Sequence, residues 1–353
     1  MLPAWAVLPS LPHCIDGHRQ KLMPMRVVVV AAVAALARVE GKQKRYRIAM
    51  FKESRTGSTW AADLLANEPA VNFFAHEAHS CCRSGVNDTF RTFYAILAAP
   101  TCAMDCGDRD ARGVPVWAAS APREPPAACA GAVSGFDISP RHALFHDAPP
   151  LSWADDWPRL LRLPGVLTVV YARTNLVKRA VSKLHADVLV EHCYGTHKVL
   201  SARAHACYED HKALMDRPLE LSAAYLAKST HKDAELFVDI IGAAARASGG
   251  RPFLWYYEAL MLDAPAEISR LLRAVGLPEA ATRHVAAASN STKITADDLH
   301  VSVVNFTAVL ADLEPLSPCL YAQAVDTVPR LVPTLCLEDG DVPWEDVWKL
   351  PKA

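Results

Sequence analysis

The 353-residue chain has no excess of charge of one sign, no apolar run of membrane-spanning length near its start, and no internal repeat. Its 37 basic and 38 acidic side chains give a net charge of −1, which argues against a protein that binds nucleic acid through bulk positive charge. The apolar run 27–37 is shorter than the roughly 20 residues that a membrane span needs. Paired CxxC spacing is also absent, and we therefore predict no metal site.

The segment 1–37 has the features of a signal peptide. Basic residues precede its apolar run, and Ala35-Leu36-Ala37 resembles a small-x-small cleavage site. The alternative is a buried strand or helix of the domain. Ten cysteines suit a disulfide-permissive compartment, as do Asn-x-Ser/Thr glycosylation acceptors at Asn87, Asn290 and Asn305. We expect the protein in the secretory pathway, in the Golgi lumen, with any membrane association confined to this segment.

The stretch Lys52 to Trp60 lies between an apolar run, 46–51, and a stretch with helical character, 60–66. A buried strand, a glycine turn and a helix start in this order form an anion cradle, because the first backbone N–H groups of the helix point at the ligand. Gly57 lets the backbone approach a phosphate closely. The side chains that offer cations or hydroxyl groups are Lys52, Arg55, Ser58 and Thr59. The stretch therefore predicts a phosphorylated ligand.

This stretch lacks the first glycine and the lysine of the P-loop pattern GxxxxGK followed by Ser or Thr. It resembles instead the loop with which sulfotransferases hold the 5′-phosphosulfate of 3′-phosphoadenosine 5′-phosphosulfate (PAPS). In that family a basic residue is followed by Ser/Thr-Gly-Ser/Thr-Ser/Thr and a large apolar residue. With Lys52 as a further cation, the predicted contacts to PAPS in this loop are Lys52, Arg55, Thr56, Gly57, Ser58, Thr59 and Trp60.

A second predicted strand-to-helix junction follows the β-branched run 166–171, which is typical of a central parallel strand. Arg173 leaves this strand, and Ser182 lies about two turns into the next predicted helix. Sulfotransferases carry a second signature of this form, an arginine and a serine eight or nine residues later, which hold the 3′-phosphate of PAPS. The resemblance implies this role for Arg173 and Ser182. Arg173-Thr174-Asn175 stands where Golgi carbohydrate enzymes commonly have Arg-Asp-Pro.

The predicted strand 71–74 delivers a carboxylate and an imidazole to the same edge of the sheet. In similar carbohydrate sulfotransferases a glutamate in this setting takes the proton from the acceptor hydroxyl, which implies Glu77 as the catalytic base. His76 is the second candidate, because cytosolic relatives use histidine. The resemblance also implies that Arg55 stabilises the leaving phosphate and that Lys293 contacts the nucleotide from a basic loop.

We predict an α/β, three-layer, P-loop-like fold with a central, mainly parallel sheet of four or five strands and helices on both faces. One catalytic domain spans 46–353, and its Cys- and Pro-rich segment 80–157 is predicted as an insertion or lid. Further helices are predicted over 219–247 in two segments, over 265–275 and over 296–313. A strand at 252–257 ends at Glu258, which we expect to be a structural hydrogen-bond acceptor. Cys193 and Cys207 either close a small disulfide loop or are buried thiols.

The predicted function is PAPS-dependent transfer of a sulfuryl group to a hydroxyl group of a carbohydrate, without metal or nucleic acid. One alternative is an ATP-dependent small-molecule kinase on the same phosphate-binding scaffold. The other is a non-catalytic, glycan-binding relative that keeps the fold.

Overall fold

The computed structural model describes residues 46–53, 56–68, 71–74, 133–139, 156–192, 217–277, 298–326 and 331–350, with a few residues between 206 and 213. All of them fall in one compact unit, Lys44–Ala353. Among these residues, no helix combines the length and the apolar character that crossing a membrane requires. The predicted signal peptide, 1–37, lies outside the described residues and stays a prediction.

A five-stranded parallel sheet forms the centre of the fold. Its strands are β1 (Arg47–Lys52), β2 (Val71–Phe74), β3 (Val133–Ile138), β4 (Val166–Ala172) and β5 (Phe253–Tyr256). They are ordered β2-β3-β1-β4-β5, and every pairing is parallel. All of β1 is buried, because both faces of a parallel sheet are covered, and its sequence is therefore a nearly continuous apolar run.

The helices in the described part of the chain are α1 (Ser58–Ala66), α2 (Asp156–Leu161), α3 (Leu176–His192), α4 (Ala223–Ser248), α5 (Tyr257–Leu262), α6 (Ala264–Val275), α7 (Leu299–Ser302), α8 (Phe306–Leu316) and α9 (Pro318–Ala324). An antiparallel hairpin follows, made of β6 (Thr334–Leu337) and β7 (Gly340–Pro343). A 3₁₀ helix, Trp344–Lys349, ends the described chain.

Helices cover both faces of the sheet. On one face, Ile48 and Met50 of β1 pack with the apolar residues of α1 and α6. On the other face, Ala49 and Phe51 pack with those of α2 and α4. A third apolar cluster joins α3 and α4 to α8 and α9. The predicted α/β class with a mainly parallel sheet is confirmed.

The predicted insertion, 80–157, contributes a strand to the interior of the sheet. β3 lies between β2 and β1, so the insertion prediction is wrong for 133–138. The sequence of this strand is VSGFDI, and its glycine has a steric cause. A Cβ at Gly135 would lie 2.9 Å from both the Ile48 carbonyl oxygen and Phe73 Cδ2, so two neighbouring strands leave no room for a side chain.

Two helix predictions also differ from the structure. The segment predicted as two helices forms one, α4, which begins after the capping residue Ser222 and ends at Gly249. The helix predicted over 296–313 is interrupted between α7 and α8. In this break the Asn305 side chain accepts a hydrogen bond from Leu221 N (3.1 Å) and donates one to Leu221 O (2.7 Å). The interruption therefore comes from contacts with a distant part of the chain.

Candidate functional site

The candidate site lies at the edge of the sheet where β1 and β4 end side by side. Lys52 on β1 is in register with Tyr171 on β4. Helix α1 follows β1, and helix α3 follows β4. The two predicted anion-binding junctions therefore start from neighbouring positions at the carboxyl edge of the sheet, where ligands bind in open α/β folds.

The loop before α1 leads into a helix whose N-terminus is not capped by any side chain among the described residues. Gly57 is the N-cap residue, in the left-handed conformation with φ 76°. Thr56 is buried, and its hydroxyl donates to the Glu53 carbonyl oxygen at 2.8 Å. Ser58 is buried, and Thr59 and Trp60 are half-buried. The first N–H groups of α1 and the positive end of its dipole give this end of the helix the chemistry that suits an anion.

Tyr257, at the start of α5, contacts both predicted anion-binding junctions. A Cβ at Gly57 would lie 2.4 Å from Tyr257 Cδ2 and 2.6 Å from Cε2. The Arg173 guanidinium carbon lies 4.8 Å from the centroid of the same ring, and Trp60 meets the ring edge-on at 6.0 Å. No motif in the sequence marks Tyr257 for this role. Packing against its ring, together with the positive φ, accounts for the glycine at 57 without the predicted approach of a phosphate.

Glu258 shapes the turn that carries Arg173. Its carboxylate accepts hydrogen bonds from Thr174 N (2.8 Å), Thr174 Oγ1 (2.9 Å) and Asn175 N (3.1 Å). Arg173 Nε lies 3.9 Å from Glu258 Oε1, which is longer than a hydrogen bond. Glu258 is buried, and the prediction that it is a structural hydrogen-bond acceptor is confirmed.

The N-terminus of α3 is capped, in contrast to that of α1. Asn175 Oδ1 accepts from Lys178 N at 2.9 Å, as an N-cap residue does. Gln323 Oε1 accepts from Leu176 N at 2.9 Å. Ser182 lies further along this helix and is half-buried. An anion at this junction would therefore depend on the side chains of Arg173 and Ser182 more than on backbone N–H groups.

Lys52 is buried in an ion pair, whereas we predicted that it offers its charge to the ligand. Its Nζ lies 2.8 Å from Asp137 Oδ2, and the two side chains are 1% and 0% exposed. A buried cation with a carboxylate partner is electrostatically compensated. Asp137 belongs to β3, the strand that the sequence did not predict. The predicted cationic contacts that remain for the ligand are then Arg55, Arg173 and Lys293.

Arg179 forms a second buried charge cluster that sequence reasoning missed. A cation on an amphipathic helix ordinarily faces solvent, but the side chain of Arg179 on α3 is 1% exposed. Its guanidinium pairs with Asp233 on α4, and Nη2 lies 3.9 Å from Glu53 Oε2. Glu53 directly follows β1. The cluster therefore connects α3 and α4 to the first residue after β1, and no local pattern in the sequence marks it.

The hydroxyl group of Tyr171 remains protonated within the site. Burial raises its pKa well above the ordinary value, the charges of Tyr257 and Glu258 add to the rise, and Arg173 opposes it. In the described part of the chain, this hydroxyl has no hydrogen-bond partner. Tyr171 thus adds an uncharged, buried phenol beside Arg173.

Cysteines in the described part of the chain form disulfides. Cys319 on α9 is bonded to Cys336 on β6, and Cys207 is also disulfide-bonded. The second finding excludes a free thiol at Cys207, and its pairing with Cys193 stays a prediction. Asp341 lies near the first pair in a geometry that could suggest a metal site. However, two sulfurs in a disulfide are not thiolate ligands.

Four predicted site residues lie outside the described residues: Arg55, His76, Glu77 and Lys293. The remaining predicted contacts, apart from Lys52, lie on two adjacent junctions of the sheet. The chain matches no protein-family model, no curated protein and no solved structure.

Proposed function

We propose that the protein transfers a sulfuryl group from PAPS to a hydroxyl group of a carbohydrate. The observation that carries the proposal is the contact of one ring, Tyr257, with both Gly57 and Arg173. These residues belong to the two segments that resemble the PAPS-binding signatures of sulfotransferases. Their proximity at one edge of the sheet supports a single groove for a ligand with phosphate groups at both ends.

The 5′-phosphosulfate is assigned to the start of α1. This end has no side-chain cap in the described residues, so its N–H groups suit an anionic ligand. In the proposal, Arg55 and the hydroxyl groups of Ser58 and Thr59 share the negative charge that the 5′-phosphate gains as it leaves. By analogy with oxyanion holes, each preorganised donor of this kind contributes about 3 kcal/mol to the transition state.

The 3′-phosphate is assigned to Arg173 and Ser182. The side chains of Asn175 and Gln323 already accept hydrogen bonds from backbone N–H groups at the start of α3. Recognition of the phosphate therefore falls to side chains. Arg173 is held between the Tyr257 ring and Glu258. Such a placement limits the number of rotamers of the guanidinium and lowers the entropic cost of binding.

The transfer itself resembles phosphoryl transfer, in which positioning and charge stabilisation supply most of the catalysis. The acceptor oxygen forms a bond to sulfur, the bond from sulfur to the 5′-phosphate oxygen breaks, and the acceptor proton passes to a base. We assign the base to Glu77, with His76 as the second candidate, and general-base catalysis contributes about 100- to 10,000-fold. The singly charged sulfate does not require a metal clamp.

An ATP-dependent kinase needs a carboxylate for Mg²⁺ near the phosphates. Among the described residues, Asp137 is placed near the end of β3, beside β1. However, its carboxylate is fully buried against Lys52. This pairing favours the sulfotransferase proposal over the kinase alternative.

The proposal is tested by transfer of radiolabelled sulfate from PAPS to a panel of glycans and small hydroxyl compounds. We expect transfer by the full chain and at least a hundredfold slower transfer by the Glu77→Gln variant, with nucleotide binding unchanged. Arg173→Gln should weaken nucleotide binding. Its matched control is Arg273→Gln, because Arg273 is exposed and lies away from the candidate site. It is near the C-terminal end of α6, where Gly276 packs against Tyr46 at the opposite edge of the sheet.

Three outcomes would contradict the proposal or part of it. Binding of ATP in preference to 3′-phosphoadenosine 5′-phosphate would favour the kinase. Tight binding of the bisphosphate without transfer to any acceptor would favour the non-catalytic relative. A near-normal rate for Glu77→Gln would remove this residue from the mechanism and leave His76 as the base to test.

A further inference from the structure

A buried glutamine connects the turn after Arg173 to the Cys319–Cys336 disulfide. Gln323, on α9, accepts from Leu176 N through Oε1 at 2.9 Å. Its main-chain oxygen accepts from Asn175 Nδ2 at 2.8 Å. Its Nε2 donates to Cys336 Sγ at 3.0 Å. Gln323 is 2% exposed, so its side chain and main chain together hold two consecutive residues of the turn away from solvent.

The segment before β6 holds the same turn from another side. Val332 N donates to Thr174 Oγ1 at 3.1 Å, while this hydroxyl donates to Glu258. Thr174 is fully buried. The three residues that follow Arg173 are therefore positioned by two pieces of chain, α9 and the segment leading into β6. A buried N–H group that loses its acceptor is costly, so both contacts restrict the turn.

The disulfide joins these two pieces of chain. Cys319 lies on the same helix as Gln323, and Cys336 lies on the strand that follows Val332. The Cα atoms of the two cysteines are 5.8 Å apart, and the cysteines are 17 residues apart in sequence. Cys336 is fully buried and Cys319 is half-buried. The covalent bond thus fixes the spacing of the two contacts that hold the turn.

We propose that the Cys319–Cys336 disulfide is a redox-sensitive positioning device for the Arg173 turn. While the bond is intact, Gln323 and Val332 hold the residues after Arg173, and the guanidinium stays where a phosphate group can bind. Reduction separates α9 from β6, loosens the turn and weakens anion binding there. The anion-binding part of this inference rests on the proposed function, whereas its effect on the turn does not.

The reduction is an ordinary thiol–disulfide exchange. A thiolate of a dithiol attacks Sγ of the half-buried Cys319, and Cys336 leaves as a thiolate that takes up a proton. The second thiol of the dithiol then attacks the mixed disulfide and releases Cys319. The dithiol is oxidised to a cyclic disulfide, and the protein gains two electrons and two protons.

The first test measures amide hydrogen exchange in the full chain before and after treatment with dithiothreitol, with released thiols counted by mass spectrometry. We expect exchange of the Leu176 and Val332 amides to accelerate at least tenfold after reduction, while amides in the centre of α4 keep their protection. Because dithiothreitol also reaches the disulfide of Cys207, the double variant C319S/C336S is measured without reductant. Unchanged exchange at both amides would overturn the inference.

A second variant keeps the test decisive if the double variant does not fold. Gln323→Leu removes the acceptor for Leu176 N and leaves the disulfide in place, whereas Gln323→Glu retains an acceptor oxygen. We expect faster exchange of the Leu176 amide in Gln323→Leu and protection restored in Gln323→Glu. Equal exchange in the wild type and Gln323→Leu would show that the glutamine does not position the turn.

The ligand measurement uses 3′-phosphoadenosine 5′-phosphate in calorimetry with the oxidised and the reduced full chain. A Kd about tenfold higher after reduction is expected, equivalent to the loss of about one hydrogen bond. An unchanged Kd with accelerated exchange would overturn the link to anion binding. If the oxidised protein does not bind this nucleotide, the proposed function fails, and the exchange experiment still decides whether the disulfide positions the turn.

Discussion

Gly57→Ala tests how the Tyr257 ring packs against the N-cap residue of α1. The added Cβ would lie 2.4 Å from Tyr257 Cδ2, closer than nonbonded carbon atoms can approach, at a residue with φ 76°. The left-handed conformation costs a non-glycine residue about 1–2 kcal/mol. Overpacking against the ring adds about 1–3 kcal/mol. We therefore expect the free energy of unfolding to fall by about 2–5 kcal/mol.

Two other glycines separate these contributions. Gly340 has φ 139°, and a Cβ added there would meet no atom within 4 Å, so Gly340→Ala reports the backbone cost of about 1–3 kcal/mol without a clash. A Cβ at Gly250 would also lie in open space, and this residue has no positive φ. Gly250→Ala should therefore change the free energy of unfolding by less than about 0.5 kcal/mol.

The measurement is urea unfolding followed by circular dichroism, with Tyr257→Ala completing a double-mutant cycle. In the Tyr257→Ala background, Gly57→Ala should cost only the backbone part, so the coupling energy between the two positions is about 1–3 kcal/mol. A coupling energy near zero, or a Gly57→Ala variant as stable as Gly250→Ala, would refute the packing explanation for this glycine.

Three further predictions concern polar groups on the sheet and on the helix that follows β5. Glu258→Gln should lower the free energy of unfolding by about 2 kcal/mol, since its carboxylate accepts three hydrogen bonds; urea unfolding measures this, and an unchanged midpoint would contradict it. Lys52→Met and Asp137→Leu should each cost about 3–5 kcal/mol because each removes the ion-pair partner of a buried charge, and the double variant should be more stable than either single variant in the same assay. Burial raises the pKa of Tyr256 to about 12, above the value of about 10 in the unfolded chain. The unfolded chain therefore loses this proton first, and stability that is present below about pH 10 falls as the pH rises towards 12. In Tyr256→Phe this part of the alkaline loss should disappear from the pH dependence of the unfolding free energy, and a pH dependence identical to that of the wild type would contradict the assignment.

The sequence was sufficient for elements whose signal is local. β1 and β4 are apolar runs that the burial of a central parallel strand requires. The end of α6 could also be predicted from the sequence, because glycine commonly follows the last residue of a helix, and Gly276 takes the left-handed conformation at this C-cap. For the same reason both strand-to-helix junctions of the candidate site could be located from the sequence.

Elements fixed by distant contacts were missed. β3 contains Gly135 because the neighbouring strands leave no space for a side chain, and it contains Asp137 because Lys52 needs a partner. The same applies to Arg179, a cation on an amphipathic helix that Asp233 keeps buried. Ordinary helix patterns place such charges in solvent. None of these choices can be inferred without knowing which strands and helices are neighbours.

The two junctions proposed to bind the ligand could be predicted from the sequence. The side chains from other elements that pack around these junctions could not. The sequence places Tyr257 at the end of a predicted strand, yet its ring contacts both Gly57 and Arg173. Gln323 lies 148 residues after Asn175 in the sequence, yet its main-chain oxygen accepts a hydrogen bond from the Asn175 side chain. Side chains of this kind carry no motif, because their role depends on the fold of the whole domain.

In the proposed function, two junctions at one sheet edge bind the two phosphate-bearing ends of one adenine nucleotide. Calorimetry with 3′-phosphoadenosine 5′-phosphate and with adenosine 5′-phosphate tests it most directly, on the wild type and on Arg173→Gln with Arg273→Gln as the control. We predict at least tenfold tighter binding of the bisphosphate by the wild type and by the control, and no such preference in Arg173→Gln. Equal affinities of the wild type for the two nucleotides, or a preference that survives Arg173→Gln, would contradict the claim.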